Sequence, residues 1–111
     1  MDPEVSSLKA LAARSDKPFP SIVAGDDSLG KLVMEEGYRV VPSPQYPRPD
    51  TGIEGRYMRG GYITRKWGSL YGGDIDCVQL EVPQWVRDES EEHGERLGRA
   101  FAQWIKDHYQ V

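Results

Sequence analysis

Glu81 is the side chain of this sequence best placed for acid–base chemistry, because it ends a run that predicts a β-strand. Side chains of a strand alternate between two faces. In residues 75–82 one predicted face is mainly valine and leucine, and the other carries Gln79 and Glu81 toward its carboxyl end. Ligand crevices of open α/β sheets lie beyond the carboxyl ends of strands, where a carboxylate can take a proton from water. The alternative is an edge strand with Gln79 and Glu81 facing solvent.

A second candidate for chemistry is the segment 60–68, which contains glycine and arginine. Glycine permits a close approach of the backbone to a ligand, so Gly61 is a candidate contact. Arg65 can clamp a substrate carboxylate through two parallel hydrogen bonds, and Thr64 can add a hydroxyl contact. The same segment also fits a tight turn that feeds a short strand, with Arg65 on the surface.

The remaining candidates are isolated side chains. Arg87 can bind a substrate anion or form an exposed ion pair with Asp88. His93 lies among acidic residues at the start of a predicted helix and is expected to face solvent, and His108 is expected near the end of that helix. Neither histidine is assigned a catalytic role. Cys77 is interpreted as a small buried residue of the strand rather than as a nucleophile.

Composition limits the classes of protein that the chain can represent. It has 111 residues, enough for one compact domain, and a formal net charge of -4. An acidic chain with scattered basic residues is a poor nucleic-acid binder, and arginines and aromatics near residues 56–67 leave only a weaker nucleic-acid hypothesis. No apolar run has the length needed to span a bilayer. The single cysteine excludes an intramolecular disulfide and fits a reducing compartment, so a cytoplasmic location is expected.

The sequence predicts that helices and strands alternate. Helices are predicted over residues 4–14, 29–36 and 88–109 from the spacing of apolar side chains. Caps for the second of these helices are supplied by residues 26–28 and by Gly37. Strands are predicted over residues 21–25, 38–41, 62–64 and 75–82, and a long irregular segment is predicted over residues 42–61.

The last predicted helix is amphipathic. Its apolar stripe is formed by Leu97, Phe101, Trp104, Ile105 and His108. Gly94 and Gly98 are expected to let this helix pack closely against the sheet. Together the elements predict an α/β fold in which helices flank a small mixed sheet. Residues 1–20 are expected to be an N-terminal helix and linker, and residues 21–111 the α/β region.

Several short motifs, taken in order, resemble the C-terminal portion of the N-formylglutamate amidohydrolase-like family. They are Ser28-Leu29-Gly30, Pro42-Ser43-Pro44, Gly60-Gly61-Tyr62 with Thr64-Arg65, Gln79-Leu80-Glu81, and Arg87 before a final amphipathic helix. Each motif is short, and the resemblance comes from their order and spacing. It implies a fold similar to that of the zinc carboxypeptidases, of the phosphorylase/hydrolase-like type.

The resemblance also implies a zinc-dependent hydrolase that acts on a C–N amide bond. It gives Glu81 the role of general base and Arg65 that of a ligand for the substrate carboxylate. The remaining candidate substrate contacts are Thr64, Gly61 and Arg87. The family's zinc ligands lie in an N-terminal, histidine-containing region, whereas this sequence has no histidine before His93. No metal ligand is therefore assigned in this chain, and zinc chemistry is expected to need an N-terminal metal-binding part, either lost or supplied separately.

The alternative function is that of a non-catalytic α/β module that binds a small acid or a protein, or that self-associates. An incomplete sheet would expose strand edges and apolar area, which favours a dimer or a larger species. The expected partners are a small carboxylate or amide substrate, an N-terminal partner chain, or a second copy of the chain. Neither nucleic acid nor a membrane is expected as a partner.

Overall fold

All regular secondary structure in the described part of the chain is helical. The computed structural model describes residues 6–48, 66, 68–69 and 74–109. The helices are α1 (Lys9–Arg14), α2 (Phe19–Ala24), α3 (Leu29–Glu35), α4 (Gln84–Asp88) and α5 (Ser90–His108). Because these residues contain no β-strand, the predicted α/β fold with a small mixed sheet is wrong.

The described residues belong to two compact units. The first unit comprises residues 6–19, 66, 68–69 and 74–81, and the second unit comprises residues 20–48 and 82–109. Helix α1 belongs to the first unit, α3, α4 and α5 belong to the second, and the chain passes from one unit to the other within α2. The predicted division into residues 1–20 and 21–111 stays a prediction.

The first unit contains a long-range cap on α1. Leu8 precedes this helix and has no side-chain oxygen that can accept from the first helical N–H groups. The amide of Ala10 instead donates to Ser69 Oγ at 2.9 Å, and the amide of Leu11 donates to Asp76 Oδ1 at 3.3 Å. Ser69 is buried and donates to Asp76 Oδ1 at 2.7 Å. Residues distant in sequence therefore help to fix the start of α1, which is shorter than the helix predicted over residues 4–14.

The second unit is built by packing α3 and α4 against α5. Its buried cluster is formed by Val33, Tyr38, Val86 and Ala100. Partly buried apolar side chains around this cluster are Leu29, Leu32, Val40, Val82 and Leu97. Burial of a large apolar side chain contributes about 1.5–3 kcal/mol, so this cluster is the main force that holds the three helices together.

Helix α3 is capped at both ends as the sequence predicts. Ser28 Oγ accepts a hydrogen bond from the amide of Lys31 at 3.0 Å. The backbone of Gly37, which follows the C-cap residue Glu36, has a φ angle of +100°, a conformation that glycine adopts without a steric penalty. The helix predicted over residues 29–36 is confirmed over Leu29–Glu35.

The strand predicted over residues 21–25 is wrong, because most of these residues lie in α2. Pro20 is the second residue of this helix, where no intrahelical hydrogen bond requires its missing amide hydrogen. The amide of Gly25 donates to the carbonyl oxygen of Ser21 at 3.1 Å, which closes the last turn. The β-branched side chain of Ile22 is only 1% exposed, so tertiary burial outweighs its weak preference for strands.

The strands predicted over residues 38–41 and 75–82 are also wrong, and residues 62–64 lie outside the described residues. Both described runs lack regular secondary structure. A β-prone run becomes a strand only when a neighbouring strand supplies its hydrogen-bonding partners, and the described residues contain no such neighbour. Apolar side chains of the second run are accordingly exposed, with Ile75 at 64%, Val78 at 45% and Leu80 at 44%.

The helix predicted over residues 88–109 is confirmed over Ser90–His108, which form α5. Glu89 separates α4 from α5 and occupies the N-cap position without making a side-chain capping bond. The prediction that Gly94 and Gly98 pack against a sheet is wrong, because a Cβ atom built on either residue meets nothing within 4 Å. These two glycines therefore lie on the open side of α5.

Two glycine substitutions in the second unit should have opposite effects on stability. A Cβ atom on Gly30 would lie 1.8 Å from the carbonyl oxygen of Pro42, so Gly30→Ala must push the backbone apart. We expect this change to lower the free energy of unfolding by about 1–3 kcal/mol. Gly98→Ala should instead raise it by up to about 1 kcal/mol, because alanine favours the helix and meets no neighbour. Urea unfolding of both variants measures the difference, and a fully stable Gly30→Ala variant would contradict the close approach.

Candidate metal centre

His93 is buried, so the predicted solvent exposure of this side chain is wrong. Only 6% of the residue is exposed. It lies on one face of α5 with Leu97, Ala100 and Trp104, at intervals of four, three and four residues. The predicted apolar stripe begins at Leu97, and its extension by one turn toward the start of the helix gives His93. The sequence therefore contained the signal for this burial, although the acidic neighbours of His93 favoured the exposed interpretation.

Tyr38 holds one nitrogen of the His93 ring. Its hydroxyl oxygen lies 2.6 Å from His93 Nδ1, and both side chains are buried. The ring of Trp85 meets the His93 ring edge-on, with 5.3 Å between the ring centres, and stacks on Tyr38 with 6.4 Å between the ring centres. The imidazole is therefore oriented by a hydrogen bond and by two aromatic neighbours, one from the segment after α3 and one from α4.

The other nitrogen of His93 faces the carboxylate of Glu89. Nε2 lies 3.8 Å from Glu89 Oε2, which is too long for a hydrogen bond. Glu89, Glu92 and His93 each offer one ligand atom, and these atoms lie within 4.8 Å of one another. The spacing of three and four residues places the three side chains next to one another at the start of α5. Among the described residues, Glu89, Glu92 and His93 are the side chains grouped closely enough to hold a metal ion.

The surface around this group is acidic. An open depression is lined by Asp88, Glu89, Ser90, Glu91, Glu92 and Glu95. The positive end of the α5 dipole stabilises carboxylates at this position, so their presence alone does not require a metal ion. Repulsion among several neighbouring carboxylates is nevertheless relieved by a bound cation. The buried imidazole, which the helix dipole does not explain, distinguishes this group from an ordinary acidic helix start.

Arg96 connects the metal-ligand group to the residues that support it. Its guanidinium carbon lies 4.7 Å from the centre of the Tyr38 ring, and the guanidinium donates to the carbonyl oxygen of Glu36. The same guanidinium approaches Glu92 Oε1 at 3.9 Å. A metal ion at Glu92 would compete with a long, partly exposed ion pair that contributes little by itself.

Arg99 makes a second, more exposed connection between α5 and the end of α3. Its Nη2 atom donates to Glu36 Oε1 at 2.9 Å. This hydrogen bond, together with attraction to the same carboxylate, raises the pKa of the Arg99 guanidinium. The side chain of Arg99 is 55% exposed, so solvent screening keeps the contribution of this pair to stability small.

Neither Glu81 nor Arg87, two of the residues predicted as catalytic or substrate-binding, belongs to this group. Glu81 is exposed and accepts a hydrogen bond from Gln79 Nε2 at 2.7 Å, and no strand places it at the edge of a sheet. Arg87 is exposed on α4. Three further candidates, Gly61, Thr64 and Arg65, lie outside the described residues. Because residues 75–82 form no strand, Glu81 does not end one, and the roles of all five residues stay predictions.

The position of His108 agrees with the prediction, whereas the burial of Cys77 does not. His108 lies at the end of α5 as predicted, and its Nε2 is 2.7 Å from the carbonyl oxygen of Asp27. A carbonyl oxygen only accepts hydrogen bonds, so Nε2 carries the hydrogen in this contact. Cys77 is half-buried rather than buried, and it lies outside any strand; its amide donates to the carbonyl oxygen of Ser7 at 3.3 Å.

Comparisons with known proteins do not identify a family for this chain. No protein-family model, no curated protein and no solved structure matches it. Among the helices described here, none combines the length and the apolar character needed to cross a membrane. The function therefore has to be argued from the side chains of the site.

Arg96 and Arg99 should differ in their importance for the second unit, although both are arginines that reach Glu36. Arg96→Ala removes a charged hydrogen bond to a backbone carbonyl and a contact with the Tyr38 ring, so we expect a loss of about 1–2 kcal/mol in unfolding free energy. Arg99→Ala removes an exposed, solvent-screened ion pair, so its effect on the unfolding free energy should be smaller than that of Arg96→Ala. Thermal and urea unfolding of both variants provide the comparison. Equal losses would show that the contact with Tyr38 contributes nothing.

Proposed function

We propose that this chain is a helical metal-binding module that holds one divalent transition-metal ion, zinc in the first instance, through Glu89, Glu92 and His93. One observation carries the proposal. A buried imidazole, held by Tyr38 through Nδ1, directs Nε2 toward carboxylates that have no hydrogen-bond donor to offer it. An Nε2 atom in this position needs a proton or a metal ion, and carboxylates stabilise either.

The ligand types favour a transition metal over calcium or magnesium. Calcium and magnesium prefer oxygen ligands, and calcium takes six to eight of them. One imidazole nitrogen with two carboxylates matches zinc and its neighbours, and three protein ligands leave a coordination position for water or another molecule. Ligand atoms around a tetrahedral zinc ion lie about 3.4 Å apart, given bonds of about 2.0–2.2 Å. The group observed within 4.8 Å must therefore contract slightly, which the exposed side chains of Glu89 and Glu92 can do by rotation.

Titration of the purified chain with Co²⁺ and Zn²⁺ tests the proposal. We expect one ion per chain and, for Co²⁺, the visible absorption of a low-coordinate site. His93→Gln should weaken binding at least about tenfold, a loss of about 1.4 kcal/mol or more. Bound metal should also stabilise the folded chain, by about 2.7 kcal/mol when the free ion is at one hundred times its Kd.

Glu92→Gln and Glu91→Gln form a matched pair for this titration. Both changes remove one negative charge from the first turn of α5, but only Glu92 belongs to the ligand group. We expect Glu92→Gln to weaken binding clearly more than Glu91→Gln, because Glu92 would contact the ion whereas Glu91 acts only through the charge of the surface. Equal effects of the two changes would indicate general attraction of cations to an acidic surface and would overturn the proposal.

A second candidate function is hydrolysis of a C–N amide bond, and the ordered motif series supports it. In this candidate zinc would supply Lewis-acid chemistry, and Glu81 would accept a proton from the attacking water. Arg65, Thr64, Gly61 and Arg87 would contact a small carboxylate or amide substrate. An N-terminal partner chain and a cytoplasmic location belong to the same candidate. Self-association also stays a proposal, supported by the exposed apolar side chains of Trp85 and Ile105.

Glu81→Gln tests the hydrolase candidate. If Glu81 is a general base, the change should lower hydrolysis of N-formylglutamate about 100-fold or more in the zinc-loaded assembly of the chain with its N-terminal part. Asp74→Asn is the control, because it removes an exposed carboxylate from the same segment. The assay follows release of formate with and without added zinc. Unchanged hydrolysis by Glu81→Gln would remove the general-base role, and absence of hydrolysis by the wild-type chain would remove the hydrolase candidate for the isolated protein.

A further inference from the structure

Tyr38 is positioned more firmly than a chance neighbour of His93 would be. It follows Gly37, whose positive φ angle turns the chain away from α3 toward α5. Its ring is covered by the guanidinium of Arg96 at 4.7 Å and stacks on Trp85 with 6.4 Å between the ring centres. These contacts hold the hydroxyl oxygen 2.6 Å from His93 Nδ1.

The hydroxyl group of Tyr38 can form a hydrogen bond with either tautomer of the neutral His93 ring. A neutral histidine carries hydrogen on one ring nitrogen only. When Nε2 carries it, Nδ1 accepts a hydrogen bond from the hydroxyl of Tyr38. When Nε2 is bound to a metal ion, Nδ1 carries the hydrogen and donates it to the hydroxyl oxygen. The 2.6 Å contact is therefore satisfied in both states by rotation of a single O–H bond.

We infer that Tyr38 is the positioning residue of the metal centre. Its hydroxyl oxygen accepts a hydrogen bond from Nδ1 of His93, which leaves Nε2 as the nitrogen that binds the metal ion. Tyr38 thereby links metal binding to the segment that follows α3. This inference rests on the proposed metal-binding function. Tyr38 does not touch the ion, and it acts through His93. Outer partners of ligating histidines fix ring orientation and raise ligand basicity, and their loss typically weakens metal binding about 10–100-fold.

Tyr38→Phe and Tyr46→Phe provide a matched test. Both changes remove one hydroxyl from the second unit, but the Tyr46 ring contacts Arg39 rather than His93. Phenylalanine keeps the ring that packs against Arg96 and Trp85, so Tyr38→Phe changes mainly the hydrogen bond to Nδ1. We expect Zn²⁺ binding, measured by competition with a chromophoric chelator, to be about 10–100-fold weaker in Tyr38→Phe and to change less than about twofold in Tyr46→Phe.

Nitrogen NMR of His93 supplies a readout that general destabilisation would not move. In the Zn²⁺-loaded wild-type chain we expect Nε2 to show the shift of a metal-bound nitrogen and Nδ1 that of a protonated nitrogen. Ligation through Nδ1 would overturn the inference, as would equal affinity of the wild-type and Tyr38→Phe chains for Zn²⁺. Failure of the wild-type chain to bind Zn²⁺ would overturn the metal-binding function as well, so the two failures are distinguishable.

Discussion

Burial of one face of α5 is the constraint on which the second unit depends. Helices α3 and α4 have seven and five residues, and helices of that length are not stable alone in water. Val33 and Val86 pack with Ala100 of α5 in one buried cluster, so the long helix supplies the surface on which the short ones form. His93 lies on the same face and is buried with it, and buried polar atoms must find partners.

The chemistry of the candidate site follows from two preferences that meet at the start of α5. The packed face of the helix carries a histidine inward, and the helix dipole favours carboxylates in the first turn. Because the ring is held by Tyr38, one nitrogen is directed toward those carboxylates rather than toward the core. The grouping of Glu89, Glu92 and His93 thus arises from ordinary folding forces, which bring an acidic surface beside a buried imidazole.

Local signals predicted α1, α3 and α5 but neither α2 nor α4, and missing partners explain the failed strands. Ser28 and Gly37 mark the ends of α3 through interactions within a few residues, so the sequence contains all the information needed. A strand depends on a second strand elsewhere in the chain, and the β-prone run 75–82 has none among the described residues. Residues 21–25 were misjudged because burial of Ile22 in a helix outweighed its local preference.

The candidate site was predictable only in part. Its three ligands follow a spacing of three and four residues that can be recognised in the sequence, but the acidic start of α5 favoured a solvated histidine. The contact between Tyr38 and His93 joins residues 55 positions apart. The spacing of apolar residues along the sequence cannot indicate such a pair, because the contact results from the packing of α3 on α5.

The arrangement of tryptophans gives the second unit a natural optical reporter. Trp85 is 60% exposed, yet its ring lies 5.3 Å from that of His93. Fluorescence of an indole in this position responds to charge on the neighbouring imidazole and is quenched by an ion with unpaired electrons. Trp104 is buried roughly 16 Å from His93 along the axis of α5, and its ring lies 5.4 Å from that of His108, so its emission responds to the other end of the helix. In variants that keep only Trp85 or only Trp104, changes at each end of α5 can therefore be followed without attaching a dye.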